Sequence, residues 1–315
     1  MVTYRDLKVT VLTGGTGGVK FLLGLKHVVS EDNISIIVNT GDDYIWNGLY
    51  VSPDVDTVVY ALSDILDISK MWGIKDDTFN FLQQCEILGL GDTWFKIGDK
   101  DLAMHVLRTY LMSKGYKLGD VCKYVCKRLG VRAEVIPMTD DRVETRILTE
   151  IGDLHIQEFL VKYCRELEPL AIRYVGIENA KARKEAIRAL EKSDIVIIGP
   201  SSPPVSILPI LETEPIGDVV RGLEKPKIAI MPMVRDRPIM GLTDKLLKAI
   251  GVEGSTLGVV KLYEKYGITH VVCDPEDNEL IEYCKKRNIN IICTNIIMRS
   301  VEDSIRLAES ILRNV

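Results

Sequence analysis

The apolar positions of this chain fall into short runs of two kinds, some strand-like and some at helical spacing. KVTVLT (8–13) is a strand-like run that ends in GGTGG, and FLLGLKHVV then repeats apolar residues with helical period. ISIIVNT (34–40) is a second strand-like run. After the polar loop GDDYIWNGLYVSPD the helical period returns in DTVVYALSDILD, with Ser52 as the expected N-cap and Pro53 as the expected first helical residue. From Met71 the texture changes: TFNFLQQCEILG, KDLAMHVLRTYLMSKG and LGDVCKYVCKRLG are helical patterns with no strand between them. The β-rich stretches AEVIPMT (133–139) and VETRILTE (143–150) follow. The alternating rhythm then resumes, with strands expected at DIVIIG (194–199), PKIAIMP (226–232), THVVCD (269–274) and NIIC (290–293), and with helices between and after them. Strands that are apolar throughout and alternate with helices predict an α/β fold, a mainly parallel sheet flanked by helices on both faces. The pattern divides into a core of 1–70 and 166–315 and an inserted smaller α+β subdomain over 71–165.

Composition narrows the function classes. The 315 residues are 46% hydrophobic, and 40 Lys and Arg stand against 45 Asp and Glu, a formal charge of −5. Such a chain lacks the basic excess of a nucleic-acid binder. The longest uncharged stretch, Ile195–Leu211, is broken by Gly199, Pro200, Pro203, Pro204 and Pro209, so no membrane helix is expected. The first residues carry no signal-peptide pattern. Seven cysteines without a C-x-x-C pair fit reduced thiols better than a disulfide or zinc framework, and a cytoplasmic location is expected.

Ligands of an open parallel sheet bind beyond the carboxyl ends of its strands, which directs attention to three loops. In the first, Gly14, Gly15, Thr16, Gly17 and Gly18 offer backbone amides to an anion at a helix N-terminus, and Lys20 can add a charge. The string is neither a Walker A nor a dinucleotide fingerprint, because Phe21 follows Lys20 and Lys20 stands where a third glycine would be. In the second, Asp42 and Asp43 are followed by Asp54 and Asp56. These suit a cage for a hard divalent cation, with Asp54 as an alternative proton acceptor; they equally suit a turn and a helix N-terminus. In the third, Gly199, Pro200, Ser201, Ser202 and Ser206 bring amides and hydroxyls that can hold a phosphate or a base edge. Within the insertion, Trp94 and Lys96 can cover and hydrogen-bond a flat heterocycle just before a helix on which Asp101, His105 and Arg108 share one face.

Taken in order, GGTGGVKFLLGL, NTGDD, PDVDTVVYAL, WFKIGDKDLAMH, PMTDD and GPSSPPVSILPIL resemble the 2-phospho-L-lactate transferase family. That resemblance implies a Rossmann-like fold with an inserted domain, an often dimeric assembly and a magnesium-dependent transferase of coenzyme F-420 biosynthesis. The implied reaction moves 2-phospholactate from lactyl-2-diphospho-5'-guanosine to the terminal ribityl hydroxyl of 7,8-didemethyl-8-hydroxy-5-deazariboflavin and releases GMP. Carried onto this chain, it assigns Gly14 to Gly18, Lys20 and the 199–206 loop to the guanosine diphosphate half. Asp42, Asp43 and Asp54 take metal or proton roles, with Asp43 and Asp54 as the catalytic pair. Asp54, Trp94, Lys96 and Asp99 border the deazaflavin. One position departs from the family form GPSNP, since Ser202 stands where an asparagine is expected. A nucleotide-sugar or dinucleotide-binding regulator of the same fold would need the glycine loop without WFKIGD. An NAD-dependent oxidoreductase is disfavoured by the missing third glycine.

Overall fold

A computed structural model describes residues 4–315. Its main sheet is built from β1 (Val9–Thr13), β2 (Ile34–Val38), β3 (Glu134–Pro137), β4 (Ile195–Ile198), β5 (Lys227–Ile230), β6 (His270–Cys273) and β7 (Asn290–Cys293). These seven strands lie in the order β7-β6-β5-β4-β1-β2-β3, and every neighbouring pair is parallel. Val9 is level with Ile34 on one side and Ile195 on the other. All five residues of β1 and all four of β4 are buried, which is why both read as unbroken apolar runs. The chain runs outward from β1 through β2 to β3 and then crosses back to β4 on the other side of β1. The crevice between the ends of β1 and β4 is therefore the topological switch point, where a doubly wound sheet binds its ligand.

Helix α1 (Gly15–Val28) leaves β1 without a linker, α2 (Pro53–Leu62) and α3 (Asp99–Ser113) follow β2, and α4 (Val301–Arg313) ends the chain. α1 begins inside the glycine run, at Gly15, whose φ of 60° favours glycine. Its Gly24 lacks a side chain where a Cβ would overlap the backbone of Ser304, so α1 and α4 pack backbone to backbone. The lost helix propensity, about 1 kcal/mol, is offset by that contact.

Two regions depart from the expectation drawn from sequence. The loop after β2 holds a hairpin, Tyr44–Trp46 against Leu49–Val51, turning at Asn47 and Gly48 with φ of 46° and 84°. Asn-Gly is the preferred pair for such a turn. Glu134–Pro137, placed by the sequence reading within the insertion, is the edge strand of the main sheet, whereas Ala171–Val175, placed in the core, pairs with Glu144–Thr149 in a separate three-stranded antiparallel sheet. Burial explains the first: Pro137 cannot donate and Glu134 is half-buried, both tolerated only at an edge. The small sheet rests on the core through a cluster of Ile147, Ile156 and Phe159 with Val205 and Leu246. No helix among the described residues is long and apolar enough to cross a membrane, and all seven cysteines are free.

Candidate active site

At the switch point the loops after β1 and β4 are stitched together. Ser201 Oγ donates to the carbonyl oxygen of Gly14 at 2.6 Å and lies 3.1 Å from the hydroxyl of Thr13. A Cβ on Gly17 would overlap the carbonyl oxygen of Pro200, and one on Gly18 the hydroxyl of Thr13. Gly17 and Gly18 thus let the two loops touch, and Ser201, expected to hold ligand, is engaged between them. The fit opens a cavity of about 620 Å³, within the usual range for a small-molecule site. Gly14, Gly15, Thr16, Gly17 and Lys20 line it from α1, with Pro200, Ser201, Ser202 and Ser206 from the opposite loop and Asp42, Asp54, Trp94 and Lys96 from beyond β2. Gly18, Asp43, Asp99 and Gly199 do not line it. Lys20, half-buried on the cavity wall, forms no ion pair with another described residue.

The acids separate into two groups. Asp42 and Asp54 converge on Asn39, whose Nδ2 donates to Asp42 Oδ1 at 2.8 Å and to Asp54 Oδ2 at 2.9 Å. Asp54 Oδ1 accepts from the amide of Gly15 at 2.7 Å, and Asp42 Oδ2 from Gln157 Nε2 at 2.8 Å. Burial pushes the Asp54 carboxyl up to about 6, partly offset by the hydrogen bonds from Asn39 and Gly15. Burial, and then the charge of Asp54, pushes Asp42 up as well. Neither is in an ion pair with a Lys or Arg among the described residues, although Lys20 and Lys96 line the same cavity.

Asp43 turns the other way. Ser52 Oγ donates to its Oδ1 at 2.7 Å and Tyr50 OH to its Oδ2 at 2.9 Å, so Ser52 caps the carboxylate rather than α2. Asp56, expected among the cage acids, is paired with Arg108 on α3. Arg108 also donates to His105 Nδ1 at 3.2 Å and to the carbonyl of Tyr50 at 3.3 Å, and Tyr60 OH donates to Asp101 at 2.6 Å. The face of Asp101, His105 and Arg108 seen in the sequence is therefore a buried ionic strut between α3 and α2. No group of three or more His, Cys, Asp or Glu among the described residues is arranged to hold a metal. The expected cage of Asp42, Asp43 and Asp54 reduces to two acids on the cavity, Asp42 and Asp54, the residues that would share a divalent cation with a bound phosphate.

On the insertion side, Trp94 stacks on Tyr44 with ring centroids 6.3 Å apart and planes inclined 23°, under the ammonium of Lys162. Lys96 is exposed at the rim. Asp99 is occupied elsewhere: Thr78 Oγ1 donates to it at 2.6 Å, Asn80 Nδ2 at 2.9 Å and the amide of Phe81 at 3.0 Å, holding its carboxyl down at about 2. It anchors the start of helix Asn80–Ile87 and α3 to each other, away from the cavity. Sequence reasoning missed Asn39 and Gln157, and also the apolar wall of Ile239, Leu242, Leu246, Ile296 and Met298. Amides and single apolar residues carry no spacing signature.

The chain is similar over nearly its whole length to known proteins. A 2-phospho-L-lactate transferase from Methanopyrus kandleri is 42% identical over 98% of both chains. One from Methanocaldococcus jannaschii is 39% identical over 96% of this chain and 97% of its own. A phosphoenolpyruvate transferase from Streptomyces griseus is 34% identical over 97% of this chain and 98% of its own. The crystal structure of a UPF0052-family protein from Bacillus halodurans shares the fold, with a TM-score of 0.64, 20% identity and coverage of 98% of this chain and 100% of that one. The family model described as 2-phospho-L-lactate transferase CofD matches residues 9–305, and the chain belongs to that family of transferases of a phosphate-containing group.

Proposed function

We propose that this protein transfers 2-phospholactate from lactyl-2-diphospho-5'-guanosine to the terminal ribityl hydroxyl of 7,8-didemethyl-8-hydroxy-5-deazariboflavin, releasing GMP in coenzyme F-420 biosynthesis. The observation that carries this reading is the meeting of the Asp42–Asp54 pair with the first turn of α1 in a single cavity. The hydroxyl oxygen of the acceptor bonds to the phosphorus that bears lactate. The bond from that phosphorus to the bridging oxygen breaks, and GMP leaves with the electron pair. The proton of the hydroxyl passes to Asp54, a group with a pKa of about 6 that is ionised at neutral pH and takes a proton readily.

The donor diphosphate lies against the amides of Thr16 and Gly17, with Lys20 beside it, where a helix N-terminus favours an anion. Asp42 and Asp54 would hold a magnesium ion, which when bound neutralises diphosphate charge. The acceptor ring lies toward Trp94 and Lys96. The 2-phospholactate donor is chosen over phosphoenolpyruvate because the two relatives above with the higher identity, 42% and 39%, are 2-phospho-L-lactate transferases. A cytoplasmic homodimer completes the reading; free thiols support the location and exposed Phe81, Ile87 and Leu88 the self-association.

Incubation of the purified protein with magnesium, the deazaflavin and each of the two guanosine donors, with products resolved by mass spectrometry, tests it. The phospholactyl product together with GMP is expected. Absence of any acceptor-linked product overturns the assignment, and a faster reaction with the phosphoenolpyruvyl donor overturns the choice of acid.

A further inference from the structure

Asn39 is fully buried at the carboxyl end of β2, and its amide continues the β1–β2 ladder by donating to Thr13 O at 3.0 Å. Its side chain turns into the switch point. Oδ1 accepts from the amide of Gly41 at 2.8 Å, which settles the orientation of the carboxamide; the reverse orientation would set its oxygen against two carboxylates. Nδ2 then holds one oxygen of Asp42 and one of Asp54, with the carbonyl of Val205 at 3.2 Å. The remaining oxygens of the pair are held from other elements, Asp54 by the amide of Gly15 on α1 and Asp42 by Gln157 on the insertion.

All four carboxylate oxygens thus accept from neutral donors. A basic side chain in any of these places would fix the acids and cancel their charge together. Carboxamides and backbone amides fix them and leave the charge in place, and a carboxylate oxygen that accepts one hydrogen bond keeps a further lone-pair direction for a cation. We infer that Asn39 and Gln157 are positioning residues, a carboxamide clamp that sets the separation and orientation of Asp42 and Asp54 so that the pair receives a divalent cation; the inference rests on the transferase reading above. Neither residue touches the reacting atoms in this account. Both act through the acids, as partners of metal ligands commonly do, where their loss costs tenfold to a hundredfold in affinity or activity.

The test measures binding of Mn²⁺, a spin-active substitute for magnesium, by electron paramagnetic resonance in the presence of GDP. Wild type, Asn39→Ala and Gln157→Ala are compared, with the melting temperature of each recorded. The expected result is at least about tenfold weaker Mn²⁺ binding in each variant, with GDP affinity in the absence of metal unchanged. In the transferase assay kcat falls while KM for the acceptor stays within about twofold, and excess Mn²⁺ restores part of kcat in Gln157→Ala. Wild-type Mn²⁺ affinity in folded variants overturns the clamp and leaves the transferase reading standing. Should Asn39→Ala fail to fold, Gln157→Ala decides alone, since its side chain lines the cavity wall. A wild-type protein that binds no Mn²⁺ with GDP present overturns both the clamp and the metal role of the two acids.

Discussion

Asp54 Oδ1 accepts a hydrogen bond from the amide of Gly15 at 2.7 Å, tying the first turn of α2 to the first turn of α1 across the switch point. The acid thereby sits beside the amides of Thr16 and Gly17, where a phosphate is favoured. A carboxylate and a phosphate at such close quarters repel unless a cation or a proton lies between them. The same contact therefore explains why a helix N-terminus suited to anions is furnished with acids.

Asp54→Asn keeps an oxygen to accept from Gly15 and removes the charge and the proton acceptor. Turnover is expected to fall by at least about a hundredfold, with GDP binding in the absence of metal unchanged. Steady-state kinetics and calorimetry check both halves; wild-type turnover would leave Asp54 only its link to α1.

The pH dependence follows from the raised pKa. Burial raises the Asp54 carboxyl in the folded protein from its ordinary value of 3.8 to about 6, so between those values the native state binds more protons than the unfolded chain. Stability falls as pH rises through that window, by roughly 3 kcal/mol in total at 1.36 kcal/mol per unit. Burial holds His155 and His270 down, and they add stability as pH rises through the same window, so the Asp54 contribution is read as a difference: the melting temperature of metal-free wild type minus that of Asp54→Asn should be lower at pH 7.5 than at pH 5. Magnesium with GDP should recover more stability at pH 7.5 than at pH 5. Differential scanning calorimetry of both proteins at the two pH values decides it, and a difference that rises with pH across the window contradicts the assignment. Under the proposed mechanism the ionised acid is the working form, so kcat/KM should fall in acid, at a pH below the value of about 6 that Asp54 has without metal, because a bound cation favours the charged form.

Gly17→Val places a branched side chain where the Pro200 carbonyl lies. The loops after β1 and β4 must part, so stability and GDP affinity are expected to fall together, the former by at least about 1 kcal/mol. Chemical denaturation and calorimetry on the same preparation read both. Loss of GDP binding with unchanged stability would mean that Gly17 faces ligand rather than Pro200.

Arg108→Met leaves Asp56 buried and unpaired in the strut between α3 and α2. Removing one partner of a buried pair costs about 3–5 kcal/mol, measurable by urea denaturation. The double variant with Asp56→Asn should regain part of the loss, and a single-variant cost below about 1 kcal/mol would show the pair to be solvated.

What could be read in the sequence and what could not divide along physical lines. β1, β2 and β4 to β6 are recognisable because burial on both faces makes each of them a short apolar run, and β7, an edge strand in which only Ile292 is buried, reads from the brief run NIIC. β3 reads as a strand of the insertion, because nothing local to Glu134–Pro137 says which sheet it joins. The hairpin at Tyr44–Val51 escaped in a stretch read as polar loop, although Asn47-Gly48 is a hairpin signal in its own right. For the site, glycines and acids stand out by type, but a carboxylate's direction depends on partners far along the chain. Asp42 and Asp54 meet at Asn39, while Asp43 and Asp56 turn toward Ser52 and Arg108. Four acids within fifteen residues therefore look alike in the sequence and do different work in the fold.

The acceptor side offers a contrast between Trp94 and Asp99, which lie five residues apart in a single motif. Trp94 lines the cavity and is held by Tyr44 at 23° between ring planes and by Lys162 at 5.5 Å, a preset surface for a flat ring. Asp99 already accepts from Thr78, Asn80 and Phe81 and is absent from the cavity wall. Trp94→Ala should raise the acceptor KM by about tenfold, the worth of a ring-stacking contact of roughly 1–1.5 kcal/mol, with the donor KM unchanged. Asp99→Asn should leave both constants alone and lower the melting temperature, because an amide accepts fewer of those bonds. The loss should grow as pH rises from about 2 toward 5. The carboxyl is held down in the folded protein, so its contribution is present above the unfolded pKa and lost in acid. Fluorescence titration with the deazaflavin and thermal melts of both variants separate the two roles. A weakened acceptor in Asp99→Asn with an unchanged melting temperature would return Asp99 to the binding site, and an unchanged acceptor KM in Trp94→Ala would move the deazaflavin toward the wall of Ile239, Ile296 and Met298.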